Sequence, residues 1–398
     1  MKRIVLMTAM TAVALAGCHS FKKENIQPPT PLKEITPTVS VEQVWDTSVG
    51  DGAAETGVRM RPTYADGVIY AASPDGTLKA VDAKSGDTVW KDYTKQHGWF
   101  GWGDSKRVDA KYAGGPAVAN GLLVVGTLDG HLYAFDAKTG KHRWKATLPS
   151  EIIATPAIVG GKVVVRTEDG RVYGINADTG DREWANDQAT VPTLSLRGNG
   201  APLVANGVVF FGSDDGHLTA LRLDNGEKLW DVPLAKGGGR TEIDQLDDAD
   251  GSILLDGSTL YAAAYHGELT AVDGRSARPL WHHPFSSYVS LAVSGDKLVG
   301  VDTKSNVWAF DKSSGSDLWK QAGLEWRWLS APAVQDNYAV VGDTQGYVHW
   351  LSLDDGKFAA RKRMSHHAIR AQPLVVGNMV YVEDVEGHLA AYRLSAGK

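Results

Sequence analysis

The chain has 398 residues, with 41 Lys and Arg against 47 Asp and Glu for a formal charge of −6, and 43% of its residues are hydrophobic. That balance offers no basic field for nucleic acid, while the apolar content is ample for a packed core. A single cysteine, Cys18, excludes a disulfide framework or a cysteine-built metal site within the chain.

At the N-terminus, Met1-Lys2-Arg3 gives a positive start, and Ile4 to Leu15 is apolar but short for a bilayer span. Leu15-Ala16-Gly17-Cys18 follows, small residues leading into the one cysteine. This resembles a bacterial lipoprotein signal: residues 1–17 form the signal peptide and Cys18 is acylated as the mature terminus. His19 stands where an aspartate would resemble an inner-membrane retention signal, so the outer membrane is favoured. Residues 18–40 then read as lipid anchor and tether, with Pro28, Pro29, Pro31 and Pro37 among polar residues and little to bury.

From residue 41 to 398 a phrase recurs: an acidic residue and Gly, an alternating apolar strand, Asp, Thr/Ser-Gly, then Trp. It runs Asp75 to Trp90, Asp129 to Trp144, Asp169 to Trp184 and Asp215 to Trp230. Degenerate copies run His266 to Trp281 and Lys304 to Trp319, Gln345 to Ala360 loses the tryptophan, and Glu386-Gly387 opens an eighth copy. In the second repeat, Pro116–Ala119, Leu122–Thr127, His131–Asp136 and a strand ending at Trp144 are separated by Asn120-Gly121, Asp129-Gly130 and Thr139-Gly140. These dipeptides supply the positive φ angles of tight hairpins. Four antiparallel strands recurring at this period make an all-β fold, a β-propeller of four-stranded antiparallel blades.

The last repeat has three strands, Pro373–Val376, Met379–Glu383 and His388–Arg393, and no fourth. The segment Val41 to Trp45 is spare, which predicts eight blades closed by the N-terminal strand. Seven blades with a stray terminal strand is the alternative. The tryptophans read as locks between blades. The aspartates Asp82, Asp136, Asp273 and Asp311 read as acceptors for turn N–H groups.

The motif Ala-x-Asp-x-x-Thr-Gly-x-x-x-Trp resembles the tryptophan-docking repeat of quinoprotein propellers that bind pyrroloquinoline quinone. The dehydrogenases among them use a vicinal cysteine pair, and this chain has no cysteine after Cys18. No nucleophile elbow, phosphate loop or His-Glu-x-x-His is present, so no catalytic residue and no cofactor are predicted. The stretch from Leu246 to Gly257 echoes a calcium loop but has the wrong end ligands, and His282-His283 and His366-His367 alternate across a strand, so no metal is predicted.

Function is expected where the repeat is interrupted. Long insertions fall in the links between blades: Lys91–Gly115, Ala185–Ala201, Asp231–Ser252 and Gln321–Ala331, the last with Trp326, Arg327 and Trp328. All such links emerge on one face. Two successive links carry Leu194-Ser195-Leu196-Arg197-Gly198 and Thr241-Glu242-Ile243-Asp244 with Asp247, Asp248 and Asp250. Apolar anchors, an arginine and an acidic rim suit a partner interface; internal pairing of Arg197 with the carboxylates is the other reading. Together, the signal, tether, repeats and these two link motifs are similar to the propeller lipoproteins of the bacterial outer-membrane β-barrel assembly (Bam) complex. That resemblance implies a non-enzymatic scaffold binding the periplasmic POTRA domains of the barrel-forming subunit BamA, with contacts at Leu194, Leu196, Arg197, Asp248 and Asp250. It also implies a lipid-anchored body in the periplasm that assists folding and insertion of outer-membrane proteins. A quinoprotein dehydrogenase or an envelope ligand sensor using the central channel are the competing classes.

Overall fold

The computed structural model describes residues 27–96, 108–187, 200–234 and 251–396. Their strands form eight four-stranded antiparallel sheets and one small two-stranded sheet, Lys95–Gln96 with Val108–Asp109. The first strands of successive blades approach one another around a central axis. The second and third strands are buried on both faces, as in Leu122–Thr127, and the fourth alternates toward solvent, as in Thr88–Tyr93. Second and third strands are therefore predominantly apolar, whereas the outer strands keep the period of two.

The ring closes as the sequence predicts. Val39–Ser48 pairs antiparallel with His388–Ala396 as the outermost strand of the eighth sheet, whose other strands are Leu374–Val376 and Met379–Glu383. This covers a sheet edge that would otherwise be open for pairing.

The tryptophans link each blade to the next through a repeated bond. The indole N–H donates to a main-chain carbonyl of the following blade: Trp45 to Ala83 at 3.1 Å, Trp90 to Ala137 at 2.9 Å, Trp144 to Ala177 at 2.8 Å and Trp184 to Leu223 at 2.8 Å. Trp281 bonds Lys312 at 3.1 Å and Trp319 bonds Leu353 at 2.8 Å. Each ring also lies on a glycine of the next blade. A Cβ at Gly226, where φ is +71°, would sit 2.5 Å from the Trp184 ring. Glycine is needed there for two reasons, the left-handed backbone and the contact. The fifth blade carries Ala277 at this position, with φ +58°, and among the described residues Trp230 makes no indole bond.

The seventh blade lacks its tryptophan at Ala360 but has not lost an indole. In the other blades the tryptophan pairs across the sheet with Ala or Gly, as in Ala134↔Trp144 and Gly174↔Trp184. Here the pair is Trp350↔Ala360, so large and small residues have exchanged strands. Trp350 is fully buried, donates to Gln335 Oε1 at 2.9 Å and meets Tyr392 edge-on, and Gln335 Nε2 reaches the Asn378 carbonyl of the eighth blade at 2.7 Å. Summed volume is kept, which cores tolerate well.

The turn aspartates behave as read. Asp82 Oδ1 accepts from the N–H groups of Lys84 and Ser85, both at 2.9 Å, and Asp311 Oδ1 from Ser313 at 3.1 Å and Ser314 at 2.9 Å. Asp136 and Asp273 do the same toward Thr139 and Ser276.

One segment departs from expectation. The stretch read as a tether with little to bury is, from Thr30 to Thr38, a strap along the seventh blade. Thr30 N–H donates to the Glu325 carbonyl at 3.0 Å, Arg361 Nη1 to the Lys33 carbonyl at 2.9 Å and Thr38 N–H to the Ala359 carbonyl at 2.9 Å. Leu32 is half-buried beside Phe358 in a core cluster. Two apolar side chains among prolines, Leu32 and Ile35, were the signal in the sequence.

Candidate functional site: the link face and its axial mouth

The two ends of the ring are unlike. On one face, neighbouring hairpin turns bond each other and nothing longer intervenes, as where Ala137 N–H meets the Gly121 carbonyl at 2.9 Å and Ala177 meets Gly161 at 2.9 Å. On the other, the Asp-Gly turns accept from the residues that start each link: Thr94 to Gly76 at 3.0 Å, Leu148 to Gly130 at 2.7 Å and Leu234 to Gly216 at 2.8 Å. All the links leave from this second face.

The predicted contact residues Leu194, Leu196, Arg197, Asp248 and Asp250, and the acylation site Cys18, lie outside the described residues. The stems of their two links are described. Ala201 N–H donates to Ser252 Oγ at 3.1 Å, and Ser252 N–H donates to Ser290 Oγ at 3.0 Å. The returning ends of three successive links are thus bonded in series. Beneath them, between the third and fourth blades, the Arg166 guanidinium bonds the Asp214 carboxylate, both side chains buried. Arg166 Nη1 has no partner among the described residues.

The link of residues 322–332 holds a buried charge network that the sequence did not disclose. Arg327 is 1% exposed and donates through Nε to Asp343 Oδ2 at 2.8 Å, through Nη2 to Gln345 Oε1 at 2.7 Å and through Nη1 to the Thr30 carbonyl of the strap at 2.9 Å. His349 Nδ1 accepts from Arg361 Nε at 3.1 Å, so its proton sits on Nε2 and is donated to Asp343 Oδ2 at 2.9 Å. Burial alone would raise the Asp343 carboxyl, but His349, the Tyr347 N–H and Arg327 hold it below the ordinary carboxylate range. Burial pulls His349 down, so it stays neutral. Every charge here is spent on other residues of the chain, and the network is structural.

At the axis, links from opposite sides of the ring meet around a cavity of about 260 Å³. Its wall includes Arg59 and Arg61 from the link of residues 49–62 and Arg370 from the link of residues 364–373. A second cavity of about 250 Å³ shares Arg59, Tyr288 and Arg370 and adds Trp328, which is 52% exposed.

His283 Nε2 lies 3.2 Å from Asp317 Oδ1, and His367 Nδ1 lies 3.9 Å from Glu386 Oε1. Among the described residues no group of three or more His, Cys, Asp or Glu side chains is placed to hold a metal ion.

The sequence matches the family described as "Outer membrane protein assembly factor BamB" over residues 96–321 and 315–398. Residues 27–141 also match the family described as "Glucose/ethanol/alcohol dehydrogenase, beta-propeller domain". Outer membrane protein assembly factor BamB of Xanthomonas campestris pv. campestris is 41% identical, with 99% of this chain and 98% of that protein covered. The crystal structure of BamB from Moraxella catarrhalis superposes with a TM-score of 0.79 at 27% identity, over 89% of this chain and all of the other. A europium-containing methanol dehydrogenase shares the fold alone, with a TM-score of 0.69 at 15% identity over 89% of this chain and 93% of the other.

Proposed function

The chain belongs to the family of the outer membrane protein assembly factor BamB, and from that premise we propose a non-enzymatic scaffold whose link face docks a partner within the Bam complex. Its role is assembly of outer-membrane proteins, the role that gives the family its name. The partner is the periplasmic POTRA region of BamA, held by Leu194, Leu196, Arg197, Asp248 and Asp250. Residues 1–17 are removed as a signal peptide, Cys18 carries the acyl anchor, and the propeller of residues 41–398 stands in the periplasm at the outer membrane.

The observation that carries this reading is the serial bonding of Ala201, Ser252 and Ser290. It brings the roots of the two distinctive links side by side on the elaborated face, which supports a single interface patch built from both. The opposite face, closed by short turns bonded to one another, offers no such concentration.

The test is retention of BamA by the immobilised full-length protein. Arg197→Ala with Asp248→Ala is expected to reduce retention at least tenfold while circular dichroism stays unchanged. Retention equal to that of the unaltered protein would remove the link face from the interaction. The quinoprotein reading predicts a visible chromophore after addition of pyrroloquinoline quinone and calcium, and a colourless product is expected.

A further inference from the structure

We propose that the axial mouth of the link face binds a small polyanion, a di- or tricarboxylate or a phosphate ester, between Arg61 and Arg370. Three arginines, Arg59, Arg61 and Arg370, converge on two adjoining cavities of about 260 and 250 Å³, and among the described residues no Asp or Glu lines either one. The remaining wall is neutral, with Tyr288, Ser290 and Gln372 able to donate or accept hydrogen bonds.

Arg61 gives the strongest indication. It is half-buried, and its Nε is shut off from solvent with no hydrogen-bond partner among the described residues. A buried guanidinium N–H without a partner is costly, because nothing repays its lost hydration. Burial lowers its hold on its proton, and no neighbouring acid offsets this. Arg327 shows how the same chain treats a buried arginine whose task is structural: Nε, Nη1 and Nη2 are all paired. Arg61 is left open toward a cavity instead.

Among the described residues, Glu383 and Asp384 share a cavity wall with Arg59 and Arg370, and they are engaged or pushed toward the neutral form. Asp384 Oδ1 accepts from the N–H groups of Glu386 at 2.9 Å and His388 at 3.0 Å, and Oδ2 faces His388 Nδ1 at 2.9 Å. Glu383 is buried beside it, and burial together with the Asp384 charge raises its carboxyl well above the ordinary range. The positive charge of Arg61 and Arg370 is therefore left for a ligand. Guanidinium groups in a recess favour planar, multiply charged oxyanions, which can be gripped by parallel N–H bonds.

The experiment is titration calorimetry and thermal melting of the full chain with citrate and with pyrophosphate, against sodium chloride at equal ionic strength. Both anions are expected to bind in a one-to-one ratio and to raise the melting temperature beyond the chloride control. Arg61→Gln and Arg370→Gln should each weaken binding at least tenfold, while Lys138→Gln, an equal loss of charge on the opposite face, should leave it unchanged. Arg61→Gln should also melt higher than the unaltered chain when no anion is present. Melting shifts equal to those of chloride, or an Arg61→Gln variant that melts lower with and without citrate, would overturn the proposal. BamA retention plays no part in these readouts, so this site and the docking face stand or fall separately.

Discussion

Replacing Trp184 by Phe isolates what the inter-blade indole bond contributes. The exchange removes roughly 40 Å² of buried apolar surface, about 1 kcal/mol at ~25 cal/mol/Å². It also leaves the Leu223 carbonyl without the donor that now lies 2.8 Å away. An unpaired buried acceptor costs about 1–3 kcal/mol, so the total expected loss is about 2–4 kcal/mol. The fifth blade supplies the internal control. Trp230, whose next blade carries Ala277 in place of the glycine, makes no indole bond among the described residues, so Trp230→Phe should cost only the surface, about 1 kcal/mol. Urea unfolding of the full chain, followed by far-ultraviolet circular dichroism, measures both losses. Ala277→Gly provides the opposite arm. It removes a Cβ from a left-handed backbone at φ +58° and should stabilise by about 0.5–1 kcal/mol after the entropy of glycine is subtracted. Equal losses from the two Phe variants would show that the tryptophans act by bulk alone and that the bond contributes nothing.

The buried network gives a second prediction. Asp343→Asn leaves Arg327 without its counter-charge and should cost about 3–5 kcal/mol; trypsin cleavage after Lys33 should accelerate, because Arg327 also holds the Thr30 carbonyl. An unchanged cleavage rate would separate the strap from the network. The third concerns acid stability. Arg143 and Thr139 hold the Asp136 carboxyl down, from 3.8 to about 2. A depressed carboxyl stabilises the fold fully above its ordinary value and less as pH falls toward 2. Asp136→Asn should therefore lower stability at neutral pH and flatten the profile between about pH 4 and pH 2, the two proteins converging near pH 2, as seen in urea midpoints across that range. High salt should shrink the difference, because the pair is exposed at the surface.

The architecture was readable because each blade repeats its chemistry locally. Gly-Trp spacing marks one strand pair, and the missing fourth strand after His388 could only be supplied by the segment that carries Trp45. The Trp350↔Ala360 exchange showed in the sequence only as a lost tryptophan, because the replacement sits on the adjacent strand and is recognised only once pairing partners are considered. The arginine mouth was not. Arg59, Arg61 and Arg370 share no spacing rule, and ring closure alone brings the two ends of the chain to one axis. Arg327 stood out in the sequence between Trp326 and Trp328 as a surface feature, whereas the strap and Asp343 turn it inward. The links with Leu194, Leu196, Arg197, Asp248 and Asp250 were found as interruptions, and their reading rests on sequence and on the described stems.

The strap has a consequence for orientation. It begins at Thr30 beside Glu325, on the link face, and descends the seventh blade to Val39, where the closing strand turns back. With Cys18 acylated as proposed, the leash is not the whole run up to residue 40. It is the run from Cys18 to Thr30, 12 residue-to-residue steps and at most roughly 40 Å when fully extended. Its exit point is the rim of the link face, so tension on the anchor would draw that rim toward the bilayer and turn the plain face away. A partner embedded in the same membrane would then meet the docking links at a raised local concentration, and loosening the strap would lengthen the leash and dilute that encounter.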